Sequence, residues 1–294
     1  MKISFAGPED LKAVSRQRHL YSSKRENGRT LIIGGSDRFH GAPVLASNAA
    51  YLTLAALRTG IGYAVTCVPK SIVIPVRALS PNIIVRPLTG KNINLRDVSI
   101  LEKQAKISDS IVVGPGLGRE EKSLRAVARL LSYCMTLGKR TVVDADAIYS
   151  VCLLRKRMNR NVLLTPNDNE FLQLNKIRLD KTGIIKRARA AADAAKQLNA
   201  NVLLKGHKTI VTDGKRIKII NAKTSALATM GTGDVLSGII SGYMARNSDV
   251  FKSAVAGAYL HAIIGDQLFK EKGYHITAQD VVECIPRILK EFDG

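Results

Sequence analysis

Short apolar runs rich in β-branched residues alternate along the chain with longer segments whose apolar positions recur every three to four residues. The runs predict strands over Thr30 to Ile33, Tyr63 to Val68, Ser110 to Val113, Thr141 to Val143, Val162 to Leu164, Val202 to Leu204 and Thr209 to Thr212. The periodic segments predict helices over Val44 to Arg58, Lys122 to Leu137, Ile184 to Leu198, Val235 to Ala245 and Ser253 to Leu268. Near-continuous apolar strands separated by helices are the pattern of a parallel sheet covered on both faces. The expected class is α/β, a three-layer α/β/α arrangement with a central, mostly parallel sheet. No linker rich in Pro, Gly or Ser and no repeat interrupts the series, so residues 1–294 are expected to form one domain.

Polar residues fall at the carboxyl ends of successive strands. Gly114-Pro-Gly-Leu-Gly118 follows one, Asp144-Ala-Asp-Ala147 the next, then Thr165-Pro-Asn-Asp-Asn-Glu170, then Lys205-Gly206. That edge of an open parallel sheet is where ligands bind. Each piece also has a purely structural explanation. Gly114 to Gly118 suits a tight strand-to-helix turn, Asp144 and Asp146 suit caps, and Asn167 with Glu170 suits a turn and helix start. A lone Lys205 suits a solvated surface, and His207 gains a phosphate or ribose neighbour only if Lys205 does.

Gly231-Thr-Gly-Asp234 opens the helix at Val235. Asp234 at such a place is either a cap facing the helix dipole or an acid with work to do beside an anion held by the glycine amides. Along the helix, Val235, Leu236, Ile239, Ile240, Tyr243 and Met244 form an apolar stripe. Ser237, Gly238, Ser241 and Gly242 leave the other face small enough for close packing.

Composition narrows the partners. Lys plus Arg outnumber Asp plus Glu by 45 to 24, giving a formal charge of +21. The basic residues are spread out, as in Lys186-Arg187-Ala-Arg189 and Arg155-Lys156-Arg157, with no zinc-finger spacing, and only 5% of residues are aromatic. A nucleic-acid partner is therefore disfavoured against an anionic small molecule or a solvated basic surface. Cys67, Cys134, Cys152 and Cys284 make no CxxC pair and read as free thiols of a reducing compartment. The N-terminus lacks a signal-peptide core and no run of about 18 apolar residues occurs, so a cytoplasmic protein without a membrane partner is expected. His19, His40 and His275 show no metal-ligand spacing, and no metal ligands are assigned.

Together with Gly34-Gly35…Gly41-Ala42-Pro43, Ala55-Ala-Leu-Arg-Thr-Gly-Ile-Gly62 and His261…Gly265-Asp266, these motifs resemble the ATP- or ADP-dependent NAD(P)H-hydrate dehydratases of the ribokinase-like superfamily. The resemblance runs from about Gly34 to Asp266 in the family's order. It implies repair of hydrated NADH or NADPH: the ring hydroxyl is phosphorylated from ATP or ADP, and phosphate is then expelled. It implies Asp234 as general base, Ala42, Gly116, Asn167 and Asp234 against the hydrated dinucleotide, and Lys205, Gly206, His207, Lys208, Thr209 and Gly233 against the nucleotide donor. The amides from Gly231 through Thr232 to Gly233 would stabilise the transferring phosphoryl group, and Mg²⁺ would accompany the donor phosphates. It further implies a homo-oligomer and an epimerase carried by a separate protein.

Two departures stand out. Lys223-Thr-Ser-Ala226 replaces the family's Gly-Asn-Pro-Gly before the catalytic glycines, which puts the lid over the donor in question. Asn167 stands where bacterial members carry His, which leaves the choice between ATP and ADP open. Two other readings share the motifs: a vitamin-pathway kinase acting on a hydroxymethylpyrimidine or hydroxyethylthiazole, and a nonenzymatic nucleotide-responsive binding protein.

Overall fold

Alternate residues of each central strand enter opposite cores, as the two-residue period of extended chain requires. Leu31 and Ile33 face one side with Ile111, Val113, Val143 and Leu164. Ile32 faces the other with Val112, Val142, Leu163 and Leu203. In this computed structural model the described residues are 2–15, 18–37, 42–179, 182–247 and 249–292, the side chains of 42–47 excepted.

In chain order the elements are β1 (Lys2–Phe5), α1 (Pro8–Lys12), β2 (Arg29–Ile33), α2 (Ala42–Arg58), β3 (Tyr63–Val68), α3 (Val73–Leu79), β4 (Ile84–Pro87), α4 (Val98–Lys106), β5 (Ser110–Val113), α5 (Glu121–Thr136) and β6 (Arg140–Val143). A 3₁₀ segment (Ala145–Leu153) follows, then β7 (Val162–Leu164), α6 (Asp168–Asn175), α7 (Ile184–Leu198), β8 (Asn201–Leu204), β9 (Lys208–Thr212), β10 (Arg216–Asn221), α8 (Thr232–Arg246), α9 (Val250–Lys272) and α10 (Ala278–Leu289). The sheet has 10 strands in the order β1-β10-β9-β8-β7-β6-β5-β2-β3-β4. Pairing is parallel except where β9 meets β8 and β10.

Helices cover both faces, as expected. Val98, Leu101 and Ala105 of α4 and Ala126, Val127 and Leu130 of α5 pack on one face. Leu52 and Ala56 of α2, Leu236, Ile240 and Met244 of α8 and Ala254, Val255 and Ala258 of α9 pack on the other. The small face of α8 works as its residues suggest. A Cβ placed on Gly238 would lie 2.4 Å from the Leu52 carbonyl oxygen, and one on Gly242 would lie 2.0 Å from Thr59 Oγ1, so α2 sits directly against the α8 backbone. Ser110 Oγ in β5 donates to the Ser241 carbonyl at 2.8 Å, fastening α8 to the middle of the sheet.

Cys67, Cys134 and Cys284 are buried and Cys152 is exposed, all as free thiols. Among the described residues no helix is long and apolar enough to cross a membrane.

Candidate active site

The carboxyl ends of β5 to β8 and the N-terminus of α8 meet in one place, and Asp144 is the hub. It is 1% exposed and follows β6. Its Oδ1 accepts from Lys205 Nζ at 2.7 Å and from the Ala145 amide at 2.8 Å, and its Oδ2 accepts from Ser237 Oγ at 2.6 Å. Burial works to raise its pKa, but the Lys205 charge and these hydrogen bonds outweigh burial and hold the carboxylate below its ordinary range. Gly114 makes room for the arrangement. Its φ is +142°, and a Cβ there would fall 1.7 Å from the Asp144 carbonyl oxygen.

Lys205, after β8, is not a solvated lysine. Its side chain is 23% exposed, and its ammonium lies 2.7 Å from Asp144 Oδ1 and 3.9 Å from Glu170 Oε2. Burial would lower its pKa, yet the two carboxylates outweigh burial and raise it, so the ammonium keeps its proton. Asn167 and Glu170 form the reciprocal cap of α6: the Glu170 amide donates to Asn167 Oδ1 at 2.9 Å, and the Asn167 amide donates to Glu170 Oε2 at 2.8 Å. Burial moves the Glu170 carboxyl upward against the pull of Lys205.

At α8 the residue before the helix is Gly231, with φ +87°, a left-handed turn that suits glycine. Thr232 Oγ1 donates to the Leu227 and Thr229 carbonyls at 2.6 and 2.8 Å and holds the turn in place. Asp234 lies in the first helical turn, half-buried. No side-chain bond caps this helix, and among the described residues nothing donates to the Asp234 carboxylate, so Asp234 faces the positive end of the helix dipole without capping the helix by hydrogen bonds. Burial pushes its pKa up to about 7, with the Asp144 charge adding and the Lys205 charge opposing. A carboxyl poised near neutral pH and free of partners can take up and release a proton.

A cavity of about 600 Å³ opens beside the α8 N-terminus. Lys205, Gly206, His207 and Thr209 line it from the β8 to β9 side, Thr232 and Gly233 from α8, and Asn167 from α6. Ile220, Leu227, Leu236, Ala258 and Ala262 form its apolar wall. One end is therefore polar and rich in amides, and the rest is apolar, the composition of a pocket for a ligand with both an anionic and a flat apolar part. Lys208, Gly116, Gly231 and Asp234 lie outside this wall. Lys208 is instead in β9, paired with Asn221 of β10. Gly116 is in the turn after β5, on the other side of β6 from the cavity. The α2 residue Ala42 begins its helix, but its side chain, like Gly41 and His40, lies outside the described residues.

Two features escaped sequence reasoning, and a third, His261, stood in the quoted motif without a role. Arg187, read there as part of a solvated basic run, is a half-buried brace. Its side chain is 13% exposed, it grips Asp168 with two bonds of 2.7 and 2.8 Å, and it donates to the Lys205 carbonyl at 3.2 Å. Asp146 is not a cap: it accepts from the Gly118 amide at 3.0 Å and from Arg119 Nε at 2.9 Å, shaping the glycine turn after β5. His261 lines the cavity as a neutral ring, its pKa lowered to about 4 by burial. The departing segment Lys223 to Ala226 still borders the cavity through Thr224 and Ser225, and Asp266 anchors it by accepting from the Lys223 amide at 2.9 Å.

The family model for NAD(P)H-hydrate dehydratase matches residues 30–287, a span that takes in every element of this site. The chain belongs to the NAD(P)H-hydrate dehydratase family. It is 34% identical to the ADP-dependent (S)-NAD(P)H-hydrate dehydratase of Cenarchaeum symbiosum, over 100% of this chain and 99% of that protein. It is also 34% identical to the bifunctional NAD(P)H-hydrate repair enzyme Nnr of Pyrobaculum aerophilum, over 97% of this chain; there it spans 55% of the relative's length. Among solved structures, the ADP/ATP-dependent NAD(P)H-hydrate dehydratase from Bacillus subtilis co-crystallized with ATP/Mg²⁺ superposes with a TM-score of 0.81 at 24% identity, covering 99% of both chains. A ribokinase-like superfamily protein from Enterococcus faecalis gives 0.83 at 23% identity, covering 99% of this chain and 97% of that one. The fold of this dehydratase-family chain is thus ribokinase-like.

Proposed function

We propose that the protein is a nucleotide-repair lyase, which dehydrates hydrated NADH or NADPH at the expense of ADP or ATP, with residues 1–294 acting as one dehydratase domain. The observation that carries this reading is the unpartnered Asp234 carboxyl, poised near neutral pH in the first turn of α8 beside the amide-rich end of a nucleotide-sized cavity. Membership of the family supports the substrate, and the relative's name supports ADP as donor.

A ring hydroxyl is a poor leaving group. Asp234 takes its proton as the oxygen attacks the terminal phosphorus of the donor, whose bond to the bridging oxygen breaks and releases AMP from ADP or ADP from ATP. The amides of Gly231, Thr232 and Gly233, with the positive end of α8, stabilise charge on the transferring phosphoryl group. Lys205, its charge secured by Asp144 and Glu170, adds a fixed cation to the same place. The new phosphate ester then breaks its bond to ring carbon. Phosphate departs, the neighbouring carbon loses a proton, and the double bond returns.

Gly206, His207 and Thr209, which line the cavity, contact the donor in this reading, with Lys208 beside them in β9 outside its wall, and Ala42, Gly116 and Asn167 contact the hydrated dinucleotide. The described residues gather no group of three or more His, Cys, Asp or Glu disposed to hold a metal. This donor set suits Mg²⁺ held chiefly by the donor's own phosphate oxygens and water, where it would neutralise phosphate charge.

The test is to mix the protein with hydrated NADH, Mg²⁺ and either ADP or ATP, and to follow absorbance at the reduced-nicotinamide band. A donor-dependent rise that disappears in Asp234→Asn is expected. No rise with either donor, from folded protein that still binds nucleotide, would sink the reading and favour a kinase that stops at the phosphorylated product.

A further inference from the structure

Arg119 stands after β5, on the far side of Asp144 from the cavity. Its side chain is 60% exposed, yet two supports hold it. Nε donates to Asp146 Oδ1 at 2.9 Å, and the guanidinium carbon lies 4.1 Å from the centre of the Tyr149 ring. Asp146 in turn accepts from the Gly118 amide, so the arginine and the glycine turn after β5 are positioned by one carboxylate. Because Asp146 takes only Nε, the two outer nitrogens have no partner among the described residues. They form a planar fork of the kind that matches two oxygens of a phosphate. Glu170 also reinforces the Arg119 charge, which places the arginine in the same electrostatic field as the catalytic edge.

The position suggests the ligand. In the sheet, β6 and β7 separate β5 from β8, so the donor cavity and Arg119 lie on opposite sides of Asp144. Arg119 is not part of the cavity wall. A dinucleotide reaching Asp234 from the β5 side brings at least two phosphate charges toward Asp144, Asp146, Glu170 and Asp234. Lys205, already paired with Asp144, lies toward the donor. A cation with free donors on the β5 side is what such a substrate needs.

We propose that Arg119, braced by Asp146 and Tyr149, is the phosphate anchor for the hydrated dinucleotide. The identity of that ligand rests on the dehydratase reading above; the anchor itself rests on the geometry of the fork. Arg119 acts in binding, and Asp146 is a positioning residue that acts through it.

The experiment compares wild type, Arg119→Met and Arg119→Lys, with Arg125→Met on α5 as a control surface arginine. Binding of NADH and of reduced nicotinamide riboside, which lacks phosphate, is measured by titration, and KM for hydrated NADH and for the donor by steady-state kinetics. Arg119→Met is expected to weaken NADH about 10- to 100-fold and to raise KM for the hydrate similarly, leaving riboside affinity and donor KM in place. Arg119→Lys should recover part of the loss, since it keeps the charge without the fork. Wild-type NADH affinity in Arg119→Met, or equal losses for NADH and the riboside, would overturn the anchor while the dehydratase reading stands. A wild-type protein that neither binds NADH nor dehydrates its hydrate with either donor would overturn both.

Discussion

Ser237 Oγ donates a 2.6 Å hydrogen bond to Asp144 Oδ2, joining the first turns of α8 to the end of β6 across 93 positions of sequence. Ser237 is one helical turn beyond Asp234, so this bond sets where Asp234, the proposed general base, stands relative to Lys205 on the other oxygen of Asp144. Both groups are buried, and a buried partner left unpaired costs more than the bond contributes. Ser237→Ala is expected to destabilise the fold by about 1.5–3 kcal/mol. Asp144→Ala, which strands the Lys205 ammonium, should cost about 3–5 kcal/mol. Urea unfolding checks both. A loss below about 0.5 kcal/mol in either variant, the level of an ordinary surface substitution, would show the hub to be dispensable.

Asp234 must be ionised to accept a proton, and its pKa stands at about 7. The rate is therefore expected to be low at pH 5, to rise through pH 7 and to level off above it. Asp234→Asn should lower the rate by about 10²–10⁴. Stability runs the other way. The folded-state pKa lies above the ordinary 3.8, so the native state holds the proton more tightly than the unfolded chain. The stability this contributes is complete below about pH 4 and is lost as pH rises through 7. Asp234→Asn should then be more stable than wild type at pH 8, on the order of 2 kcal/mol, and equal to it at pH 4. Melting temperatures at the two pH values decide it, and an unstabilised variant at pH 8 would refute the poised carboxyl.

The central strands could be read from sequence because they are buried on both faces and so appear as unbroken apolar runs. β1, β4 and β10 escaped notice for the opposite reason. Lys2–Phe5 is mostly exposed at the sheet edge, Ile84–Pro87 ends in a proline at the other edge, and Arg216–Asn221 alternates polar with apolar residues. The short helices α1 and α6 lack the length for a periodic signal, although Asn167 with Glu170 marked the start of one of them. At the site, the strand-end motifs marked the edge where the structure brings Asp144, Lys205 and the start of α8 together, since glycines and acids in those places are visible in order. What sequence could not supply was pairing. Arg187 and Arg119 look like any other basic residue in a chain of charge +21 until Asp168 and Asp146 are seen beside them.

Arg187 reaches from α7 to two parts of the site at once, Asp168 at the start of α6 and the carbonyl of Lys205. It therefore fixes the loop that carries Gly206 and His207. Arg187→Met should raise donor KM about tenfold, with a smaller effect on KM for the hydrate, because the loop of Gly206 and His207 is the part proposed to contact the donor. Arg187→Lys should rescue poorly, since a single ammonium cannot reproduce the two-pronged grip on Asp168. Equal changes in both KM values would point instead to general loosening of the fold.

Two glycines of α8 should respond in opposite ways to the same added methyl group. At Gly238 a Cβ would lie 2.4 Å from the Leu52 carbonyl oxygen and 2.9 Å from the Ala55 Cβ, both on rigid parts of α2. Neither can retreat without moving a helix, so Gly238→Ala is expected to cost about 1–3 kcal/mol despite the roughly 1 kcal/mol by which Ala favours a helix over Gly. At Gly233 the nearest atom to a Cβ is Lys205 Nζ at 4.0 Å, an ordinary contact. Gly233→Ala should therefore keep or slightly increase stability. The methyl would nevertheless stand in the cavity wall beside Lys205, where the donor phosphates are proposed to lie, and donor KM should rise about tenfold or more. Unfolding curves and donor KM measured on the two variants separate the effects. A Gly233→Ala protein with unchanged donor KM would move the phosphates away from the start of α8.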